Sequence, residues 1–217
     1  ILAHFGTSEQ KQTYLTPLLD GKIASCYSMT EPQAGSDPAE FTCIAKKDGN
    51  DWIINGEKWF ASHARFSEFL LVMVVTNPER PIHEGASILL VEKNNPGLEI
   101  IRNSAVGPYV EQGDGVHAYL RFTNCRVPAA NLLGEEGKGF LVAQTRLGGG
   151  RVHHAMRSVG VLKKAMDMMC ERVLSRNTKG EPLASKQLTQ EKIADSYTQI
   201  LQYRLHVLYT AWLIDKH

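Results

Sequence analysis

The stretch Tyr27-Ser28-Met29-Thr30-Glu31-Pro32-Gln33-Ala34-Gly35-Ser36-Asp37 lies where a helical pattern gives way to strands, and the reading of the whole chain turns on it. Pro32 fixes its own φ and biases Glu31 toward extended backbone, while Gly35 permits a turn that a Cβ would hinder. Thr30 and Ser36 are therefore set on a constrained bend. A rigid loop rich in hydroxyls and backbone N–H groups positions a polar ligand at small entropic cost. Taken alone, the stretch is equally a plain Pro/Gly turn between two elements. A second segment, Trp59-Phe60-Ala61-Ser62-His63, closes a strand-like run downstream.

Upstream, Thr7-Ser8-Glu9-Gln10 has the form of a capping box opening a short helix to about Leu15, disturbed near Pro17. Asp20-Gly21-Lys22 turns the chain into a strand over 23–29. Downstream, the signals are β throughout. Residues 41–46 and 52–60 flank Asp48-Gly49-Asn50-Asp51, a hairpin connection. Residues 69–75 and 86–92 are apolar, β-branched runs of the kind that form buried strands, and 98–101 and 116–122 add two more. Short strands without intervening helices predict an antiparallel barrel or sandwich.

Residues 124–133 read as a linker. Beyond them, Val152, Ala155, Met156, Val159, Leu162, Met166, Met169 and Val173 recur at helical spacing, as do Ile193, Tyr197, Leu201, Leu205, Leu208 and Trp212. Gly148, Gly149 and Gly150 interrupt the first pattern, as a break between two helices or as a site of close packing or ligand approach. The expected fold class is α+β: a β-domain with a short helical remnant before it and two long helices after it. The expected domains are 1–25, the end of a helical domain, 26–133, the β-domain, and 134–217, the start of a helical bundle. Ile1 is not an initiator Met and helical periodicity persists at the last residues, so the chain reads as a fragment.

With 24 basic and 23 acidic side chains in 217 residues, bulk charge points to no nucleic-acid or acidic-membrane partner. No apolar run approaches a membrane span. Cys26, Cys43, Cys125 and Cys170 are scattered, which predicts reduced thiols and neither a disulfide framework nor a metal site. His153 and His154 are adjacent, and neighbours on a helix diverge, so they make a poor chelate.

The two opening segments resemble the flavin-facing motifs of the acyl-CoA dehydrogenase family: aromatic-x-hydrophobic-Thr-Glu-Pro-x-Ala-Gly-Ser-Asp, then an aromatic with a Ser or Thr two positions on. Arg126-Val127-Pro128-Ala129-Ala130-Asn131-Leu132-Leu133-Gly134, Glu136-Gly137-Lys138-Gly139-Phe140 and Arg176-Asn177-Thr178-Lys179-Gly180 are similar to further family segments, in the family's order. The run from Leu147 to Arg157 resembles the branch whose larger members carry a kinase-like phosphotransferase domain.

The resemblance implies FAD as cofactor. Tyr27, Met29 and Thr30 would line the isoalloxazine and its pyrimidine edge. Phe60, where a Trp is frequent, would pack on the ring, and Ser62, in place of a common Thr, would sit beside N5. Arg176 would reach the FAD pyrophosphate of a neighbouring subunit, although Lys179 departs from a frequent Phe and weakens that inference. Ser36 and Arg151 would meet the acyl-CoA substrate.

The implied activity is α,β-dehydrogenation of an acyl-CoA to the trans-2-enoyl thioester, a step of fatty acid β-oxidation. Electrons would pass to an electron-transferring flavoprotein, and the protein would be a homo-dimer or homo-tetramer. The base is a Glu expected beyond residue 217. The other family position for it is Gly150 here, so the chain alone is expected to lack turnover, with Glu31 and Asp37 as loop-structuring acids. Alternatives within the same resemblance are an acyl-CoA oxidase, a flavin monooxygenase, and a non-catalytic acyl-CoA or flavin-binding module; the periodicities alone also allow a structural β-barrel with a helical interaction arm. The expected compartment is the mitochondrial matrix or peroxisome for a eukaryotic source and the cytoplasm for a bacterial one.

Overall fold

The computed structural model describes residues 1–105 and 116–216. In chain order its elements are α1 (Leu2–Phe5), α2 (Ser8–Gln10), α3 (Thr16–Leu19), β1 (Ser25–Ser28), β2 (Ile44–Asp48), β3 (Asp51–Ser62), β4 (Phe69–Val75), α4 (Ile82–Gly85), β5 (Ala86–Glu92), β6 (Leu98–Ser104), β7 (His117–Pro128), α5 (Gly139–Ser175), β8 (Asn177–Thr178), β9 (Glu181–Pro182) and α6 (Gln187–Lys216). The chain divides into two compact units, Ile1–Thr145 and Arg146–His217. The α+β class is as expected.

In the first unit, Thr7 and Gln10 form the capping box, and Gln10 Nε2 also donates to the carbonyls of Ala130 and Leu132, tying the helical start to the segment after β7. The helix does not stop at Pro17. Lys11–Leu15 winds as a π-turn, the Thr16 N–H reaching back to the Lys11 carbonyl, and Pro17 falls in the first turn of α3, where no N–H is required of it.

The sheet runs β1-β4-β2-β3-β7-β6, with β5 on the other edge of β4. Most pairings are antiparallel, but β1 pairs with β4 in parallel, Ser25 opposite Phe69 through Ser28 opposite Val72, and β2 joins the same edge in parallel at Ile44 and Val75. The sheet is therefore mixed rather than wholly antiparallel. A parallel pair needs a long connection, and β2 and β3 themselves supply it. Residues 29–43 leave the sheet between the two strands that share this edge of β4.

β4 and β5 pair along their full length, Phe69 with Glu92 to Val75 with Ala86. Their uniform apolar character follows from burial on both faces. Leu70, Val72, Val74, Leu89 and Val91 pack inside the sheet with Ile54, Leu120 and Phe122. Phe69, Leu71, Met73, Ile88 and Leu90 face Leu2, Tyr14, Leu133, Val142 and Ala143. The approach of the first turn of α5 depends on Gly139, where a Cβ would lie 2.6 Å from the Ser87 backbone. The predicted hairpin is present: Asp48 pairs with Asp51 across Gly49-Asn50, with Gly49 at φ 61°. β7 does not stop at Phe122, and the expected linker begins only after Pro128, because Cys125 and Val127 are buried partners of Ile54 and Trp52.

In the second unit, α5 is continuous through Gly148–Gly150, so the glycines break no helix. A Cβ at any of the three would meet nothing within 4 Å among the described residues, so none of these packs closely there. Among the glycines of α5 the closely packed one is Gly139, at its first turn. Lys179 and Gly180, both at positive φ (53° and 81°), turn β8 into β9 ahead of α6. Leu208 and Trp212 are 41% and 51% exposed in this chain. No helix among the described residues is long and apolar enough to cross a membrane, and all four cysteines are free thiols.

Candidate functional site

β1 ends at Ser28, and the chain enters the bend at Met29 and Thr30. There Glu31 and Ala34 exchange backbone hydrogen bonds at 2.9 and 3.1 Å, closing the loop around Pro32. The bend is bonded to β3: the Trp59 N–H donates to the Thr30 carbonyl at 2.8 Å, and Lys58 Nζ donates to the Met29 carbonyl at 2.8 Å. The structure thus brings the end of Tyr27-Ser28-Met29-Thr30 to the strand that carries Phe60 and Ser62.

Lys58 is the keystone of this joint. Its side chain is fully buried, with Nζ 2.7 Å from Glu31 Oε1 and 4.4 Å from the Phe41 ring centroid. Glu31 also accepts from the Thr42 N–H at 2.7 Å and the Cys43 N–H at 3.1 Å. Burial would push the Glu31 carboxyl up, but the Lys58 ammonium, together with Thr42 and Gln33, holds it below the usual carboxylate range. Burial pulls the Lys58 ammonium down, opposed by Cys43 and Glu31. Burial also pushes the Cys43 thiol up to about 12, leaving it an inert core group. Glu31 is thus a structural acid, and Asp37, whose carboxylate caps the Ala39 N–H, is another.

The lowered carboxyl sets a pH dependence. A group whose folded pKa lies below its unfolded value contributes its stability above the unfolded value, about 4.3 for glutamate, and loses it as pH falls through the folded one. The urea midpoint of the protein is expected to drop on acidification below that range. Its difference from Glu31→Gln should shrink over the same interval; an unchanged difference would remove the ion pair from the account.

β3 is bulged at the end that carries Phe60 and Ser62. Lys58 opposes Leu120 and Ala61 opposes Ala118, so Trp59 and Phe60 together face Tyr119 alone. Phe60 lies at φ 53°, left-handed backbone that a bulky residue rarely adopts, and its ring is 51% exposed. It stacks on Trp59 at 5.1 Å, which stacks on Tyr119 at 5.2 Å, and the Arg102 guanidinium lies 5.4 Å from the Trp59 ring centroid. Tyr119 donates to Glu57, which also accepts from Arg121 Nε at 2.9 Å. Ser62 Oγ is 2.8 Å from His117 Nδ1 across the β3–β7 pair. Tyr119, Arg102 and His117 escaped the sequence reading; only the register of β7 on β3 brings His117 to a serine 55 positions away.

Two family models match, "Acyl-CoA dehydrogenase, middle domain" over residues 26–125 and "Acyl-CoA dehydrogenase, C-terminal domain" over residues 137–217. The chain belongs to the acyl-CoA dehydrogenase family. Along 100% of its length it is 44% identical to the probable acyl-CoA dehydrogenase FadE2 of Mycobacterium tuberculosis, covering 54% of that protein. It is 41% identical over 99% of its length to acyl-CoA dehydrogenase family member 10 of Mus musculus, covering 20% of it. Among solved structures, butyryl-CoA dehydrogenase from Megasphaera elsdenii matches 96% of the chain with TM-score 0.80 and 31% identity, the chain covering 54% of that structure. The chain spans about half the length of FadE2 and less of the mouse relative.

The acyl-CoA dehydrogenase fold is a flavoprotein fold, and the joint fits a flat ring with a polar edge. Phe60 presents an exposed apolar face on a backbone that holds it out of the sheet. The Trp59 indole N–H is buried without a hydrogen-bond partner among the described residues. Ser36 is exposed on the bend. Arg151 and Arg176 belong to the second unit, exposed on α5 and just after it. Among the described residues no cluster of His, Cys, Asp or Glu is suited to a metal ion.

Proposed function

We propose that the protein carrying this chain is an FAD-dependent dehydrogenase that oxidises an acyl-CoA thioester to the trans-2-enoyl thioester and passes the electrons to an electron-transferring flavoprotein. The observation that carries this reading is the bonded joint between Thr30 and Trp59, which ties the segment ending in Met29 and Thr30 to the strand that carries Phe60 and Ser62. FAD, when bound, would supply the hydride acceptor. Tyr27, Met29 and Thr30 would line the ring, Phe60 would pack on its face, and Ser62 would hold a proton at Oγ for an electron-rich ring atom. Arg176 offers a planar fork for the pyrophosphate, with the protein assembled as a homo-oligomer. Ser36 and Arg151 would meet the substrate. Neither Glu31 nor Asp37 is assigned as base, since they are committed to backbone N–H groups and, for Glu31, to Lys58.

Anaerobic addition of acyl-CoA to the FAD-loaded natural polypeptide is expected to bleach the flavin. Slow recolouring in air with fast recolouring by an electron-transferring flavoprotein supports the dehydrogenase. Fast recolouring in air would make it an oxidase, and binding without bleaching a non-catalytic module.

Phe60→Gly separates stability from binding. Glycine relieves the left-handed strain, a gain of about 1 kcal/mol that the lost stack on Trp59 offsets in part. The variant is expected to fold at least as well as the parent by urea titration while binding FAD roughly 3–10-fold more weakly. Equal FAD affinity would remove Phe60 from the site.

A further inference from the structure

Resting on that flavin reading, we infer that His117 is a positioning residue: its Nδ1–H donates to Ser62 Oγ and so keeps the Ser62 proton available for an electron-rich ligand atom. Two contacts of Ser62 carry the inference. Its oxygen lies 2.8 Å from His117 Nδ1, a full hydrogen bond, and 3.5 Å from the Phe60 carbonyl, a contact too long to hold a proton firmly. A carbonyl only accepts, so in the tautomer that carries its proton on Nδ1, His117 donates the short bond and the Ser62 proton is left to the Phe60 side; this is the tautomer assigned to His117. The proton held by the long contact is the one easily given up to a better acceptor.

The backbone makes this arrangement rigid. Ser62 pairs with His117 in the β3–β7 register, and His117 pairs with Ser104 on β6, so the imidazole stands on a central strand, half-buried. Ser62 is flanked by the left-handed residues Phe60 (φ 53°) and His63 (φ 66°), and the His63 N–H donates to the Val116 carbonyl at 2.6 Å. The strand end is thus bonded to the residue before His117, and the Ser62–His117 distance does not rely on side chains alone. Donors in series polarise one another, so a hydroxyl that accepts from an imidazole N–H is a stronger donor than one that does not. A ligand that becomes electron-rich beside Ser62 is held more tightly than the same ligand in its oxidised form. His117 therefore tunes the preference for reduced over oxidised flavin without touching the ring.

The test compares the affinities for reduced and oxidised FAD in the natural polypeptide, the ratio being read from the flavin midpoint potential. His117→Phe keeps a flat ring and removes the donor; the ratio is expected to fall about tenfold, in line with a lost hydrogen bond to a charged acceptor. His117→Gln, which retains an N–H, should recover part of it. Ser62→Ala should produce a similar fall, and His117→Phe added to it should produce no further one. A ratio within twofold of the parent in His117→Phe, or additive effects in the double variant, would overturn the inference. Nitrogen NMR of the flavin-free chain is expected to show His117 protonated at Nδ1 and to change in Ser62→Ala. An Nδ1 that is unprotonated there overturns the relay by itself. Failure of the parent to bind FAD would instead count against the flavin reading.

Discussion

Lys58→Met is expected to lower the unfolding free energy by about 3–5 kcal/mol, because it leaves the Glu31 carboxylate buried without its counter-charge. The side chain it removes is fully buried and bonds both Glu31 Oε1, at 2.7 Å, and the Met29 carbonyl, at 2.8 Å. An exposed ion pair would be worth a small fraction of this. The effect should also reach the site, since the same ammonium fixes the backbone where the bend begins. FAD affinity should therefore fall even under conditions where the variant remains folded. Adding Glu31→Gln removes the orphaned charge while keeping an acceptor for Thr42 and Cys43, so the double variant is expected to be no less stable than Lys58→Met alone. Urea titrations of the parent and three variants measure this. Simple additivity of the two single losses would show that the pair is not coupled.

Gly56→Ala should be of comparable size for a different reason. Gly56 has φ 138°, and a Cβ there would lie 2.6 Å from Cys43 Cα and 2.9 Å from its Cβ, in the strand pair that carries the joint. Neither contact is the free end of a flexible side chain, so the backbone must shift. Strain and overpacking together should cost on the order of 3 kcal/mol. Gly49→Ala is the control: its φ is 61°, but the space around it is open, so only the left-handed penalty of about 1–2 kcal/mol applies. Equal losses at the two positions would mean that Cys43 yields, and that the β2–β3 contact is softer than the geometry indicates.

Much of the fold was legible in the sequence because local physics decided it. β4 and β5 fall on the predicted residues, since a seven-residue apolar run between turn signals has few other fates. The Asp48–Asp51 hairpin and the Thr7–Gln10 capping box were readable for the same reason. What escaped depended on partners distant in sequence. The parallel pairing of β1 on β4 leaves no periodicity of its own. A lysine at position 58 reads as a solvated strand residue until Glu31 is placed beside it. The chain also runs through Pro17 because a π-turn precedes the ring, a device without a sequence signature. At the candidate site, the motif resemblance singled out Thr30, Phe60 and Ser62, whereas the Ser62–His117 contact and the Trp59–Tyr119 stack needed the register of β7.

An FAD-bound crystal structure of the natural polypeptide decides whether the Thr30–Trp59 joint is a flavin platform. The ring is predicted to lie in contact with Phe60, its polar edge toward Met29 and Thr30, with Ser62 Oγ within hydrogen-bonding distance of a ring nitrogen. Flavin bound elsewhere, with Phe60 and Ser62 facing solvent as before, would contradict it.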